Sequence, residues 1–299
     1  MDLHFIPLMG NTRYLDMGYS CVGAYLLPSH DIVLIDSGSR PSPELFELLD
    51  QEQLRVEAVL CTHLHVDHVA NNYALIERFG TKIYAGAREI KEATEGHWHV
   101  WPEGKEGEIL PIPDGASSVT IQGVSFDCLP TPGHTLGHLS FASPDGVFFI
   151  GDAMVSPAVL KSSKLPYMTD IKLAEDSMRK IDQTSYPCYL AAHKGPMGKE
   201  ALHACVDENL KKETDLLEEL LSLLTEPMTI TAAINQFLLS LQISKKHREN
   251  PEIYFTARQR LEVLAQDGKI LIQDGYVYSI LDAAHPENGS KGRPEGGMN

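Results

Sequence analysis

The chain has 299 residues, of which 43% are hydrophobic and 22% charged, a balance that excludes a disordered or fibrous main body. That length suits one large domain with a smaller appendage. With 41 acidic and 25 basic residues the net charge is −16, histidines taken as neutral, and such a field disfavours nucleic acid as a partner.

At the N-terminus, Met1-Asp2-Leu3-His4-Phe5 puts an acid where a signal peptide carries positive charge, and Gly10 and Asn11 break the apolar stretch. Secretion is therefore not expected. Five dispersed cysteines, Cys21, Cys61, Cys128, Cys188 and Cys205, form no C-x-x-C clip, which fits a reducing cytoplasm. Residues 31–36 and 56–61 read as buried strands that each end in a polar loop. The pattern then predicts a helix over 73–79, a strand over 82–84 and a hairpin over 119–129 turning at Gly123. Strands follow over 139–142 and 147–150 around Pro144-Asp145-Gly146, then a helix over 171–181 and a short strand over 188–192.

Beyond Lys199 the spacing turns helical: 202–224, then 230–241 with Thr229 as N-cap, then 253–266. The Leu-rich stretch 216–224 is interrupted by Glu218 and Glu219, far short of the ~20 apolar residues of a membrane span. A β-hairpin around Asp274-Gly275 closes this region. Three helices and a hairpin read as a winged-helix-like domain, with Lys245-Lys246-His247-Arg248 as a solvated loop. The expected division is a catalytic domain over 1–198, the helical domain over 199–282 and a disordered tail over 283–299, poor in apolar residues.

The densest chemical signal is Thr62-His63-Leu64-His65-Val66-Asp67-His68, placed directly after a strand. Histidines at i and i+2 in extended chain project to one side, and Asp67 and His68 fall where the backbone turns into a helix. Imidazoles and a carboxylate without cysteine are the donors of a catalytic metal site rather than a structural one. Three later segments add donors after strands: His134 in Thr131-Pro132-Gly133-His134-Thr135-Leu136-Gly137-His138, Asp152 in Gly151-Asp152, and His193.

In this order, H-x-H-x-D-H, T-P-G-H-T-x-G-H, Gly-Asp and a late His resemble the metallo-β-lactamase superfamily over residues 1–198. The resemblance implies an α/β fold, the αββα sandwich. It also implies one metal on His63, His65 and His134, a second on Asp67, His68 and His193, and Asp152 bridging. Asp36, in Ile35-Asp36-Ser37-Gly38, matches an early Asp that supports the metal loop without binding metal. The segment from Thr131 to His138 is similar to glyoxalase II-like thioesterases and lactonases, in which the second histidine is not a ligand; His138 is expected to support the site instead. The full donor set is unlike that of single-iron persulfide dioxygenases. A pair of divalent cations in such a site shares a water, lowers its pKa and polarises a carbonyl or phosphoryl oxygen. Asp67 is then the carboxylate placed to orient the resulting hydroxide or take its proton. Zinc is the preferred ion, although the same donors accept manganese or iron.

The expected reaction is hydrolysis of an ester-type bond, a thioester or lactone, in a small molecule. The chain departs from both groups after Asp152, where it reads Ala153-Met154-Val155-Ser156-Pro157, without the Gly-Cys-Gly-Arg stretch of glyoxalase II or the Tyr of acyl-homoserine lactonases. Trp98 and Trp101 read either as a lid over an acyl chain or as cover for a core edge. Lys161, Lys164 and Tyr167 read either as anchors for an anionic group or as a solvated loop, and Lys194 beside His193 either orients an anion or forms an exposed ion pair. An alternative is a metal-dependent ribonuclease or phosphodiesterase assisted by the winged-helix-like domain. Against it, Arg258 and Arg260 lie among Glu252 and Glu262, and phosphate contacts need basic surface. The helical domain is instead expected to cover the active-site mouth or to form a homodimer surface. A third reading is a ligand sensor without turnover.

Overall fold

The computed structural model describes residues 3–95 and 108–279. Trp98 and Trp101, and the expected tail over 283–299, lie outside the described residues. Two compact units are present: one comprises the described residues up to Ser163 together with Met168–Leu210, the other Lys164–Tyr167 and the described residues from Lys211 onward.

The first unit is built on two sheets. One runs in the order β1 (Ile6–Met9), β2 (Thr12–Asp16), β3 (Cys21–Leu26), β4 (Ile32–Ile35), β5 (Val56–Leu60), β6 (Lys82–Gly86) and β7 (Ile109–Ile112). The other contains β8 (Ser118–Ile121), β9 (Val124–Pro130), β10 (Leu139–Ala142), β11 (Val147–Gly151), β12 (Cys188–Ala191) and β13 (Gly195–Met197), in the order 13-12-11-10-9-8. β4 is buried along its whole length because both of its faces are covered. Ile32 and Leu34 pack under the helices α1 (Pro43–Gln51) and α3 (Asn72–Phe79) with Leu45, Leu49 and Leu75, while Val33 and Ile35 face the second sheet with Phe126, Phe141 and Phe149. Each such fully buried aliphatic side chain contributes roughly 1.5–3 kcal/mol. This two-sided burial is the αββα arrangement expected from the sequence.

Of the strands expected from sequence, β4, β5, β6, β10, β11 and β12 lie inside their sheets, while the expected hairpin over 119–129 is β8 and β9, with β8 at an edge. No expectation covers β1–β3; burial is mixed along β1 and β2, while β3 is buried from Val22 to Tyr25. β4 to β7 pair in parallel, as do β11 and β12. Parallel pairing gathers the carboxyl ends of these strands at one edge, where α/β sheets expose functional groups. There the chain turns into α2 (Val66–Val69) after β5, into α4 (Ala87–Thr94) after β6, and into α5 (Pro157–Ser162) soon after β11. α6 (Ile171–Asp182) starts at Asp170, whose carboxylate accepts the Leu173 N–H, and Ser177 Oγ on it donates to the Pro132 carbonyl at 2.7 Å.

α7 (Lys199–Leu223) begins in the first unit, and its residues from Lys211 on belong to the second. The second unit also has α8 (Ile230–Ser240), α9 (Lys245–Arg248), α10 (Pro251–Gln266) and a small sheet of β14 (Met228–Thr229), β16 (Tyr276–Ser279) and β15 (Ile270–Gln273). Leu216, Leu220 and Leu224 meet Phe237, Leu261 and Leu165 in its core. The segment Lys245–Arg248, read from sequence as a loop, is one helical turn because the Ser244 side chain accepts the His247 N–H. Arg260, placed by sequence on the third helix among Glu252 and Glu262, is fully buried and bonded to Glu213 at 2.6 Å. No helix among the described residues is long and apolar enough to cross a membrane.

Candidate metal centre

All seven donor residues named from the sequence meet at the sheet edge. His63 Nε2 lies 3.0 Å from His65 Nδ1, and His134 Nε2 lies 2.9 Å from the same nitrogen. One proton can satisfy only one of these approaches. Three imidazole nitrogens converging in this way fit a cation, since donors at 2.0–2.1 Å from a tetrahedral zinc stand about 3.3 Å apart. A second set adjoins the first: Asp67 Oδ2 lies 3.9 Å from His68 Nε2 and 3.7 Å from His193 Nε2. Asp152 stands between them, with Oδ2 3.6 Å from His134 Nε2 and Oδ1 3.5 Å from His68 Nε2 and 3.3 Å from His193 Nε2. Three groups there could each hold a metal ion: His63, His65 and His134; His63, His68 and Asp152; and Asp67, His68 and His193.

The supports explain the orientation. Asp36 follows β4 with φ 61°, a backbone angle uncommon outside glycine that Asp tolerates. Its Oδ1 accepts the Thr62 N–H at 2.8 Å, and its Oδ2 lies 2.8 Å from His68 Nδ1. This fixes the start of the metal loop and turns His68 Nε2 toward the cluster, where that buried atom has no hydrogen-bond partner among the described residues. A buried imidazole nitrogen left this way is costly unless something electropositive meets it. His138 is not among the converging donors: its Nδ1 lies 2.8 Å from Thr131 Oγ1, and its Nε2 accepts the Asp152 N–H at 3.1 Å. It therefore anchors the backbone of Asp152. The fit is close, because a Cβ on Gly151 would come 2.6 Å from His138 Nε2 and the local φ is +63°.

Electrostatics separate the histidines. Burial, followed by the neighbouring imidazoles of His68, His65 and His134, holds His63 well below the ordinary imidazole range. Burial likewise brings His138 down to about 3, so it stays neutral and accepts a hydrogen bond. Burial alone would depress His68, but the Asp152 and Asp36 carboxylates outweigh it and raise His68 well above its usual value. Burial would raise Asp152, and the His68 charge with the His193 hydrogen bond reverses this to well below the carboxylate range. The two carboxylates thus impose a field that favours positive charge where His68 Nε2 points, as a cation site requires.

The remaining named residues are dispersed. Lys161 and Lys194 are exposed. Lys164 Nζ donates to the Gln242 carbonyl at 2.8 Å within the second unit, so that ammonium ties two chain segments together. Tyr167 is half-buried in the same unit.

Two residues were missed by sequence reasoning. The Tyr19 carbonyl accepts from His193 Nδ1 at 2.8 Å, and its ring lies 4.8 Å from the His193 ring while remaining 66% exposed. Nothing near Tyr19 in sequence signals this, because the contact spans 174 positions. Glu89 lies on α4, a helix for which no expectation arises from the sequence, and it is fully buried.

Comparison with known proteins agrees with this geometry. The pattern of the Metallo-beta-lactamase superfamily matches residues 24–193. A hydroxyacylglutathione hydrolase from Idiomarina loihiensis is 27% identical over 255 residues, covering 76% of this chain and 88% of that one. A Beta-lactamase-like protein 2 homolog from Drosophila melanogaster is 24% identical over 265 residues, covering 84% and 86%. In fold, a metallo-beta-lactamase family protein from Thermus thermophilus matches with a TM-score of 0.65 at 19% identity, over 93% of this chain and 98% of its own. With the motif order, the two-sheet architecture and the converging histidines and aspartates all in agreement, the chain belongs to the metallo-beta-lactamase superfamily and is a metal-dependent hydrolase.

Proposed function

We propose that the cluster holds two divalent ions, zinc in both positions, and that the protein hydrolyses an ester-type bond in a small molecule, with thioesters preferred over lactones. The observation that carries this reading is Asp152, whose two oxygens face two separate donor sets. In this assignment His63, His65 and His134 hold one ion, Asp67, His68 and His193 hold the other, and Asp152 is shared. Divalent ions held there supply Lewis acidity toward water and toward a carbonyl oxygen.

The chain's own residues do the rest. Asp67 is half-buried and its carboxylate orients the attacking water and takes its proton. Asp36 and His138 hold His68 and Asp152 in place through the bonds described above. The exposed ammonium groups of Lys161 and Lys194 are available to an anionic group on the substrate. The thioester preference is supported by the likeness to a hydroxyacylglutathione hydrolase along 88% of that protein's length. The stretch after Asp152 departs from glyoxalase II, so the leaving thiol is left broader than glutathione. By function the chain is divided into a catalytic domain over 1–198 and a winged-helix-like domain over 199–282, a division by role that differs from the two compact units, the first of which runs on to Leu210.

Elemental analysis of protein purified without added metal, run beside a panel of thioesters, lactones and phosphodiesters, tests this reading. Two equivalents of metal and thioester turnover are expected. Turnover of phosphodiesters alone would replace it with a nuclease, and less than one equivalent with no turnover would leave a sensor. Tyr19 flanks His193 with an exposed ring, so Tyr19→Ala is expected to raise KM about fivefold to tenfold while kcat stays within about twofold. Steady-state kinetics on the best thioester checks this, because the backbone carbonyl that holds His193 survives the substitution.

A further inference from the structure

α4 presents Arg88 and Lys91 to solvent, yet Glu89 in its first turn is 0% exposed. A carboxylate is buried so completely only when its oxygens meet donors. Glu89 Oε1 accepts the Leu64 N–H at 3.0 Å, and Oε2 accepts the Thr135 hydroxyl at 2.6 Å. Leu64 lies between His63 and His65, and Thr135 directly follows His134. One side chain therefore joins the two chain segments, about 70 positions apart, that supply the three converging imidazoles. Helix and loop are pressed together at the same point: a Cβ on Gly137 would come 2.1 Å from the Glu89 nitrogen, and one on Gly86 would come 2.6 Å from the Gly137 carbonyl.

We propose that Glu89 is a positioning residue for the metal held by His63, His65 and His134: it sets the spacing of that triad by clamping Leu64 to Thr135. The inference rests on the reading of the triad as a metal site. Glu89 acts in this role through the Leu64 N–H and the Thr135 hydroxyl, and so through the two segments from which the imidazoles project. Geometry of this kind is read in metal affinity, because ligands held apart from the preferred spacing must be drawn in at the expense of binding energy. A carboxylate suits the task, since both of its oxygens accept while both Leu64 and Thr135 donate. Glutamine has the same shape but offers Thr135 an amide donor in place of an acceptor, so the hydroxyl has to reverse and the short charge-assisted bond is lost.

The test compares wild type with Glu89→Gln, Thr135→Val and Thr135→Ser, each first stripped of metal. Zinc affinity is measured by competition with a chromogenic chelator, cobalt is added as a spectroscopic probe of ligand geometry, and thermal unfolding is followed in excess chelator. Glu89→Gln and Thr135→Val are expected to weaken the tighter-bound zinc by about tenfold or more and to alter the cobalt absorption. Thr135→Ser, which keeps the hydroxyl, is expected to retain wild-type affinity and spectrum. Metal-free Glu89→Gln and Thr135→Ser should melt close to wild type, while Thr135→Val, which strips a donor from a buried carboxylate, should lose some stability but less than the fall in its zinc affinity. Unchanged affinity in both Glu89→Gln and Thr135→Val, or a loss matched by an equal fall in metal-free stability, would overturn the positioning role while leaving the metal reading intact. Wild-type protein that binds no zinc would overturn both.

Discussion

Replacing His134 with alanine is expected to lower kcat by on the order of 10³-fold or more and to leave the protein short of one metal ion. Losing a residue that merely supports a ligand typically costs 10–100-fold in metal affinity or activity, and losing a ligand itself must exceed that. His134 supplies a nitrogen 2.9 Å from His65 Nδ1, while its own loop is held by contacts that do not involve its ring. The Thr131 N–H donates to the His138 carbonyl at 3.0 Å, and Thr169 Oγ1 donates to the His134 carbonyl at 2.8 Å. The variant should therefore keep its circular dichroism and its metal-free melting temperature. Elemental analysis with single-substrate kinetics decides the matter: a variant that keeps its full metal complement and turns over within tenfold of wild type would remove His134 from the site.

In the second unit, Arg260→Met is expected to destabilise by about 3–5 kcal/mol, because it leaves the Glu213 carboxylate buried beside an apolar side chain. Arg260 is 0% exposed, and its Nη2 pairs with Glu213 Oε2 at 2.6 Å. Its guanidinium also donates to the Thr256 carbonyl at 2.8 Å and to the Pro166 carbonyl at 3.3 Å, so the loss touches α7, α10 and the segment Lys164–Tyr167 together. The double variant Arg260→Met with Glu213→Leu should recover most of the stability, as apolar replacement of a whole buried pair commonly does. Urea denaturation followed by circular dichroism measures both. A double variant no more stable than the single would mean that the guanidinium's carbonyl contacts dominate over the ion pair.

What could be read from the sequence follows from how locally each feature is specified. His63, His65, Asp67 and His68 are legible because four donors fall within six positions after an apolar run, so strand geometry alone aims two of them the same way. The β4 run is legible for a related reason: burial on both faces writes an unbroken Ile-Val-Leu-Ile. Thr229 as a helix cap is legible because its role depends only on the Ala232 N–H three positions away. Tyr19 and Glu89 are not, since their importance comes from segments that only tertiary folding brings near. Arg260 misleads, because a cation flanked by charged neighbours reads as surface until the opposing helix supplies Glu213. The Lys164 contact is not legible for the same reason as Tyr19 and Glu89: its ammonium serves Gln242, 78 positions away.

The four residues Lys164–Tyr167 leave the catalytic unit, join the helical one and then return. Two separate stretches of polypeptide therefore complete the helical unit. A chain stopped after Leu210 would leave the Leu165 side chain without Leu216, Leu220 and Leu261, the residues of its own cluster. The two halves are thus not beads that can be cut apart at one peptide bond. Any graft of this helical unit onto another enzyme has to carry the short internal stretch along with the carboxyl-terminal one, and during synthesis the helical unit can be finished only by reaching back to residues made about fifty positions earlier.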